Sequence, residues 1–187
     1  EQAKHFSPDY NPWDQRLCLV PDGDLFKQIR SGNARVVTDT IQAVTENGIQ
    51  LKSGKTLEAD IIVSATGLSL NLLGDIQIEV DGKPFKASQA MAYRGMWLSD
   101  LPNAIMTFGY TNASWTLKAD LTAVYTCRLL NYMRKKGYRK AVPIRDASVE
   151  EQDYLSFTSG YVQRARDVLP KQGKIAPWQV NQNYLKD

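Results

Sequence analysis

Leu117, Leu121, Val124, Tyr125, Leu129, Tyr132 and Met133 recur every three or four residues, the spacing that puts side chains on one face of an α-helix. Ser114 or Thr116 can cap the first turn, and Lys135-Lys136-Gly137 supplies a basic last turn and a glycine stop. Ahead of this helix the period is different. Val36-Val37, Ile41 to Val44, Ile49-Gln50-Leu51 and Ile61-Ile62-Val63 are short β-favouring runs, separated by Asn47-Gly48 and Ser53-Gly54 as hairpin punctuation. The expectation is a small meander. Its last strand, Ile61 to Ala65, is continuously apolar, so it should lie buried on both faces and end at Thr66-Gly67. A further hairpin should turn on Asp81-Gly82 after Ile76 to Val80, and Ala104 to Phe108 should form a strand that stops at Gly109.

Residues 1 to 23 combine turn formers (Pro8, Pro12, Pro21, Gly23) with Phe6, Tyr10 and Trp13, which suits an ordered connecting segment. Asp24 to Arg30 reads as a short helix with Asp22 or Asp24 near its cap and Gly32 just past its end. Beyond the long helix, Ser148-Val149-Glu150-Glu151 has the spacing of a capping box and predicts a second helical start. A third segment runs from Tyr161 to Leu169 before Pro170. The fold class expected is α/β, a β-meander followed by a mainly helical segment.

Composition narrows the chemistry. The 187 residues hold 23 Lys+Arg against 20 Asp+Glu, a net charge of +3, with no run of five or six like charges, so nucleic acid is not an expected partner. His5 is the single histidine, which sets aside His-based zinc sites and Ser-His-Asp hydrolysis, and no metal is expected. Cys18 and Cys127 are too far apart for a CxxC pair and read as buried thiols of a reduced, cytoplasmic protein. No apolar stretch approaches the roughly 20 residues of a membrane span. Dinucleotide, P-loop and nucleophile-elbow fingerprints are all missing. The chain opens on Glu1-Gln2-Ala3-Lys4-His5 without methionine, which reads as the start of a piece of something longer.

Two strand ends can face a ligand. Asp60 to Leu68 places Ser64, Thr66 and Gly67 at the carboxyl end of an apolar run, where Gly67 either makes a turn or admits a cofactor. Phe108 to Thr116 leads into the long helix, whose first-turn N–H groups suit an electron-rich ring edge, unless Ser114 is simply a cap with Trp115 packed in the core. Arg16 stands between aromatic and apolar residues and either pairs with Asp14 or points into a site. Trp178 reads as packing or as a ligand contact.

Four ordered blocks, HFSPDYNPWDQRLC (His5 to Cys18), DIIVSATGL (Asp60 to Leu68), MAYRGMWLSDLPN (Met91 to Asn103) and FGYTNASWTLKADL (Phe108 to Leu121), resemble the carboxyl-terminal part of FAD-containing, NADPH-dependent Baeyer-Villiger monooxygenases, with the nearest likeness to their ethionamide-activating subgroup. The resemblance extends through LPKQG (Leu169 to Gly173) and PWQVNQNY (Pro177 to Tyr184). It implies the C-terminal part of a flavoprotein with two dinucleotide-binding domains: residues 1–65 close the NADP-binding domain and its linker, and residues 66–187 return to the FAD-binding domain. It implies a reaction in which NADPH reduces FAD, O2 adds to give a C4a-peroxyflavin, and one oxygen atom is inserted into a ketone or passed to sulfur.

By the same resemblance, Arg16 is the catalytic cation. Thr66 and Gly67 form the hinge beside the cofactors. Asn112, Thr116, Leu117 and Lys118 sit against the isoalloxazine, and Trp178 and Asn183 belong to a late loop that closes over NADP. Gly109-Tyr110-Thr111-Asn112 departs from the glycine-proline found in many members. The partners implied are a small ketone or sulfur compound, O2 and the missing N-terminal part of the enzyme. The isolated chain should be inactive and should self-associate, or recruit an N-terminal fragment, through apolar surface left uncovered. The alternative is a stand-alone binding module that kept the fold without the chemistry. A disulfide oxidoreductase is disfavoured by the absence of closely spaced cysteines.

Overall fold

Two glycine turns fold the first part of the chain back on itself. In the computed structural model, which describes residues 2–12, 14–15 and 18–187, β1 (Ile41–Thr45) pairs antiparallel with β2 (Gly48–Leu51), and β2 pairs with β3 (Thr56–Glu58). Gly48 has φ 147°, and a Cβ there would overlap the Leu57 carbonyl oxygen across the ladder, so the tight pairing needs glycine. Two short helices precede this sheet, α1 (Gln2–Phe6) and α2 (Asp24–Arg30). The Phe6 and Phe26 rings meet at 5.6 Å, and His5 Nδ1 lies 2.8 Å from Thr38 Oγ1. The cap of α2 is Gly23 in the left-handed region, with no side-chain hydrogen bond; Asp24 instead pairs with Lys27 at 3.4 Å.

The meander stops at β3. Val36-Val37 forms no strand, and Ile61 to Ala65 is neither a strand nor buried: Ile61 and Val63 are 82% and 83% exposed. A strand exists through its ladder, and no described segment pairs with these residues. Continuous apolarity indicates burial only where a neighbouring sheet is present to supply it.

The chain divides into two compact units, one running up to Gly67 and the other from Leu68 to Asp187 together with residues 13–16. The second holds most of the buried side chains. Ala90, Leu98 and Leu101 form one cluster, flanked by Ile78, Val80, Phe85 and Met106; Met91, Val149 and Trp178 form another, flanked by Tyr93. Short antiparallel ladders frame them: β4 (Glu79–Val80) with β5 (Lys83–Pro84), and β6 (Ala92–Tyr93) with β7 (Trp97–Leu98). The first turns on Asp81-Gly82, both at positive φ, as the sequence requires. Ala104 to Phe108 is no strand, because only Ile105 bridges to Trp97.

The long helix, α3 (Trp115–Lys136), begins and ends where expected. Ser114 Oγ accepts from Thr116 N, and Gly137 at φ 72° closes the last turn. Its packed face differs from the apolar one. Lys118 and Thr122 are its buried residues, Leu121, Tyr125, Leu129 and Met133 are half-buried, and Leu117, Val124 and Tyr132 reach the surface. The unit covers the side of the helix that carries an ion-pairing lysine, and part of the apolar stripe stays uncovered.

Beyond α3 the capping-box reading fails. Asp146 Oδ1 accepts from both Ser148 N and Ser148 Oγ, closing a local turn, and the chain continues as β8 (Glu151–Asp153) paired with β9 (Lys171–Gly173). A ladder with a distant partner overrides a local helix signal. The helix read over Tyr161 to Leu169 is cut to α4 (Gly160–Arg164), followed by turns. Cys18 and Cys127 are free and exposed rather than buried, Cys127 because it lies on the outer side of α3. No described helix is long and apolar enough to cross a membrane.

Leu98 is fully buried at the centre of its cluster. Leu98→Ala should destabilise the chain by about 3 kcal/mol, measured by denaturant unfolding.

Candidate functional site

The segment between Met106 and α3 is shaped by a glycine. The Trp115 indole occupies the space where a Cβ of Gly109 would stand, so any side chain at that position would displace the ring. Trp115 thus lies over the junction, 55% exposed, and not in the core. Tyr110 turns inward from the same segment, 2% exposed, and its hydroxyl donates to Asp187 Oδ2 at 2.7 Å. Lys118, one turn into α3, donates to the same oxygen at 2.9 Å, with side-chain exposures of 3% for Lys118 and 8% for Asp187. The Lys118 ammonium also stands 5.8 Å from the Tyr110 ring centroid. Thr111 adds a second tie, donating through N and Oγ1 to Gln182 Oε1 at 2.8 and 2.9 Å.

One carboxylate therefore joins the junction, the first turns of α3 and the tail. Burial first, then the hydrogen bond to Asp187 and its negative charge, push the Tyr110 phenol well above the ordinary phenol range. Burial pushes Tyr154 in the same direction.

Two cavities open beside the junction. One, of about 370 Å³, is walled by Leu72, Leu73, Phe108, Tyr110, Trp115 and Leu169 and carries no ionisable acid or base beyond its tyrosines. The other, of about 640 Å³, is amide-rich, with Asn112, Gln172 and Gln182 on its walls and one acid–base pair, Asp153 and Arg166. The Arg166 and Lys171 side chains lie on Asp153 at 3.3 and 3.0 Å, and the Lys171 hydrogen bond holds its carboxyl below the usual range. Both cavities are of small-molecule size. Among the described residues no cluster of His, Cys, Asp and Glu could hold a metal ion.

The residues singled out in the sequence are distributed as follows. Arg16 lies outside the described residues. Thr66 and Gly67, the latter at φ 108°, are exposed at the end of the first unit. Asn112, Thr116 and Leu117 are exposed at the start of α3, whereas Lys118 in the same turn is occupied by Asp187. Trp178 is buried against Met91 and Val149, edge-on to Tyr93 at 5.3 Å. Asn183 is exposed and its Oδ1 accepts from Leu185 N. Sequence reading missed the role of Asp187 and Gln182, which carry no motif; Tyr110 was visible only as an unusual residue after Gly109.

These residues fit one part of a flavin and not another. The exposed first turn of α3, with Thr116 in it and Asn112 just ahead of it, suits the edge of a planar ring. Nothing in the sequence offers a glycine-rich loop for its phosphates.

Compared with known proteins, the chain is 59% identical over 186 residues to the protein named "Probable FAD-binding monooxygenase AlmA" of Acinetobacter baylyi, covering 98% of this chain and 37% of that protein. It is 57% identical over 185 residues to the FAD-containing monooxygenase EthA of Mycobacterium tuberculosis and 52% identical to EthA of Mycolicibacterium smegmatis, in each case over 98% of this chain and 38% of the relative. This chain is homologous to the FAD-containing monooxygenases. It spans less than two fifths of the length of the relatives it matches. No family model and no solved structure matches it.

Asp187→Asn should destabilise the chain by about 3 kcal/mol, since it leaves the Lys118 ammonium buried without its counter-charge; thermal unfolding checks this. Tyr110 and Tyr154 should be the last phenols to ionise in an alkaline titration followed by ultraviolet difference absorbance. Their folded-state pKa values lie above the unfolded value of 10.0, so their contribution to stability is complete below that pH and is lost as pH rises beyond it. Tyr110→Phe should remove one late-ionising phenol.

Proposed function

We propose that this chain is the carboxyl-terminal part of an NADPH-dependent, FAD-containing monooxygenase of the Baeyer-Villiger type, which inserts one oxygen atom of O2 into a ketone or transfers it to sulfur. The observation that carries the reading is the 57–59% identity to FAD-binding and FAD-containing monooxygenases across 98% of the chain. In this reading residues 1–65 close the NADP-binding domain, residues 66–187 belong to the FAD-binding domain, and Thr66-Gly67 is the hinge between them. The flavin, when bound, supplies the oxygen transfer.

The chain's own residues position and shield. Asn112, Thr116 and Leu117 line the ring edge at the start of α3. Lys118, held by Asp187, fixes the orientation of that turn. Arg16 provides the fixed cation that stabilises negative charge developing on oxygen and holds the nicotinamide amide. Trp178 anchors the late segment from which Asn183 faces NADP. The uncharged walls formed by Leu72, Leu73, Phe108 and Trp115 favour the apolar part of a neutral substrate and exclude water from it. The phosphate-gripping loops are supplied by the N-terminal part, so the isolated chain does not turn over, and the parent works in the cytoplasm.

A decisive experiment expresses the chain joined to its upstream reading frame and follows ketone oxygenation and NADPH consumption. Arg16→Ala should lower oxygenation by at least about a hundredfold while the flavin absorbance retained after gel filtration stays the same. Undiminished oxygenation by that variant would remove Arg16 from the mechanism, and a parent that neither retains flavin nor consumes NADPH would sink the whole reading.

A further inference from the structure

The hairpin between β6 and β7 turns on Arg94-Gly95, with φ of 52° and 62°, and Met96 N donates to Tyr93 O at 3.1 Å. The loop holds three residues, Arg94, Gly95 and Met96, and its first two positions are left-handed, a conformation that strongly favours Asn, Asp or Gly. An arginine there is strained, and strained positions that persist point to a use for the side chain. Its backbone is further fixed by Arg94 N donating to Pro177 O at 2.8 Å.

The side chain is held in place as well. The Arg94 guanidinium carbon lies 5.9 Å from the Tyr93 ring centroid and 5.8 Å from that of Tyr125 on α3. Burial and a hydrogen bond with Tyr93 push the Tyr125 phenol up, and Arg94 opposes them. No carboxylate among the described residues pairs with Arg94, so its planar fork of donors remains open.

Arg94 opens onto a cavity of about 240 Å³ whose walls also carry Lys118, Arg128, Lys186 and Asp187. Asp187 is the single acidic side chain there and is already committed to Lys118. A Cβ on Gly95 would stand 3.5 Å from Lys118 Cε, which sets the turn directly against that pair. Arg94, Arg128 and Lys186 therefore all line one small space whose single acidic side chain is already paired, an arrangement that favours an entering anion.

We propose that this cavity binds a small phosphate-bearing anion, with the Arg94 guanidinium as the principal bidentate ligand and Arg128 and Lys186 as supporting cations. Arginine stacked on aromatic rings presents the geometry that phosphoryl oxygens match. The site shares Lys118 and Asp187 with the flavin reading but is otherwise lined by Leu121, Val124 and Tyr125 from the middle of α3, and not by the exposed residues of the first turn.

Calorimetric titration of the chain with inorganic phosphate and with pyrophosphate, at constant ionic strength with chloride as control, tests this. Saturable pyrophosphate binding is expected. Arg94→Asn should weaken it at least tenfold while raising Tm, because asparagine suits the left-handed turn. Arg128→Gln should weaken it without lowering Tm, and Lys83→Gln, on the β4–β5 hairpin, should bind as the wild type does. Wild-type affinity in Arg94→Asn, or no saturable binding by the unaltered chain, overturns the proposal. A parallel arm uses phosphatidylglycerol and phosphatidylcholine vesicles: binding to the anionic vesicles without binding of free pyrophosphate also overturns it, since the cations would then serve as a surface patch.

Discussion

The Asp187 carboxylate, shared between the Lys118 ammonium and the Tyr110 hydroxyl, is the interaction on which the arrangement of the second unit turns. Lys118 faces the unit and is almost wholly buried, a position an ammonium can hold only with a counter-charge in contact. That contact sets the rotation of α3 about its axis. It also brings the final residues of the chain beside the Phe108–Trp115 segment, where the Thr111–Gln182 hydrogen bonds reinforce the join. The exposed turn that faces a flavin in the proposed reading and the cation-lined cavity beside Arg94 are both consequences of this placement.

A second constraint is the supply of apolar partners. Ile61 and Val63 stand in solvent, and α3 leaves Leu117, Val124, Leu130 and Tyr132 at the surface. Apolar surface of this kind on a natural chain is the signature of a contact still to be made. It accords with a chain that spans about 37% of the length of its relatives, and it explains why the second unit draws its order from short ladders and two small clusters of buried residues instead of one large sheet.

Legibility in the sequence followed the range of the forces involved. The hairpins at Asn47-Gly48 and Asp81-Gly82, the short helix at Asp24–Arg30 and the limits of α3 at Ser114 and Gly137 depend on residues within a few positions of one another, and all were readable. The strand expected at Ile61 to Ala65 was misread because its pattern specifies burial without specifying a neighbour. The helix expected at Ser148 was misread because Asp146 captures the serine and β9, some twenty residues on, captures the backbone. At the candidate site, Asn112, Thr116, Leu117 and Lys118 were legible as one junction leading into the long helix. The pairing of Lys118 was not, since its partner lies 69 residues away and carries no motif.

Local backbone preference and side-chain periodicity, which need no knowledge of distant residues, were enough to establish from the sequence the turns and the long helix, while the resemblance to flavin-dependent monooxygenases rested on four ordered blocks of residues. Tertiary structure alone settled which face of α3 is covered, that Trp178 is a core residue and that Arg94 sits strained between two tyrosine rings above a cationic cavity. The physical reason is that burial, ion pairing and ring stacking are properties of residues brought together in space, and their energies depend on neighbours that sequence separation does not reveal.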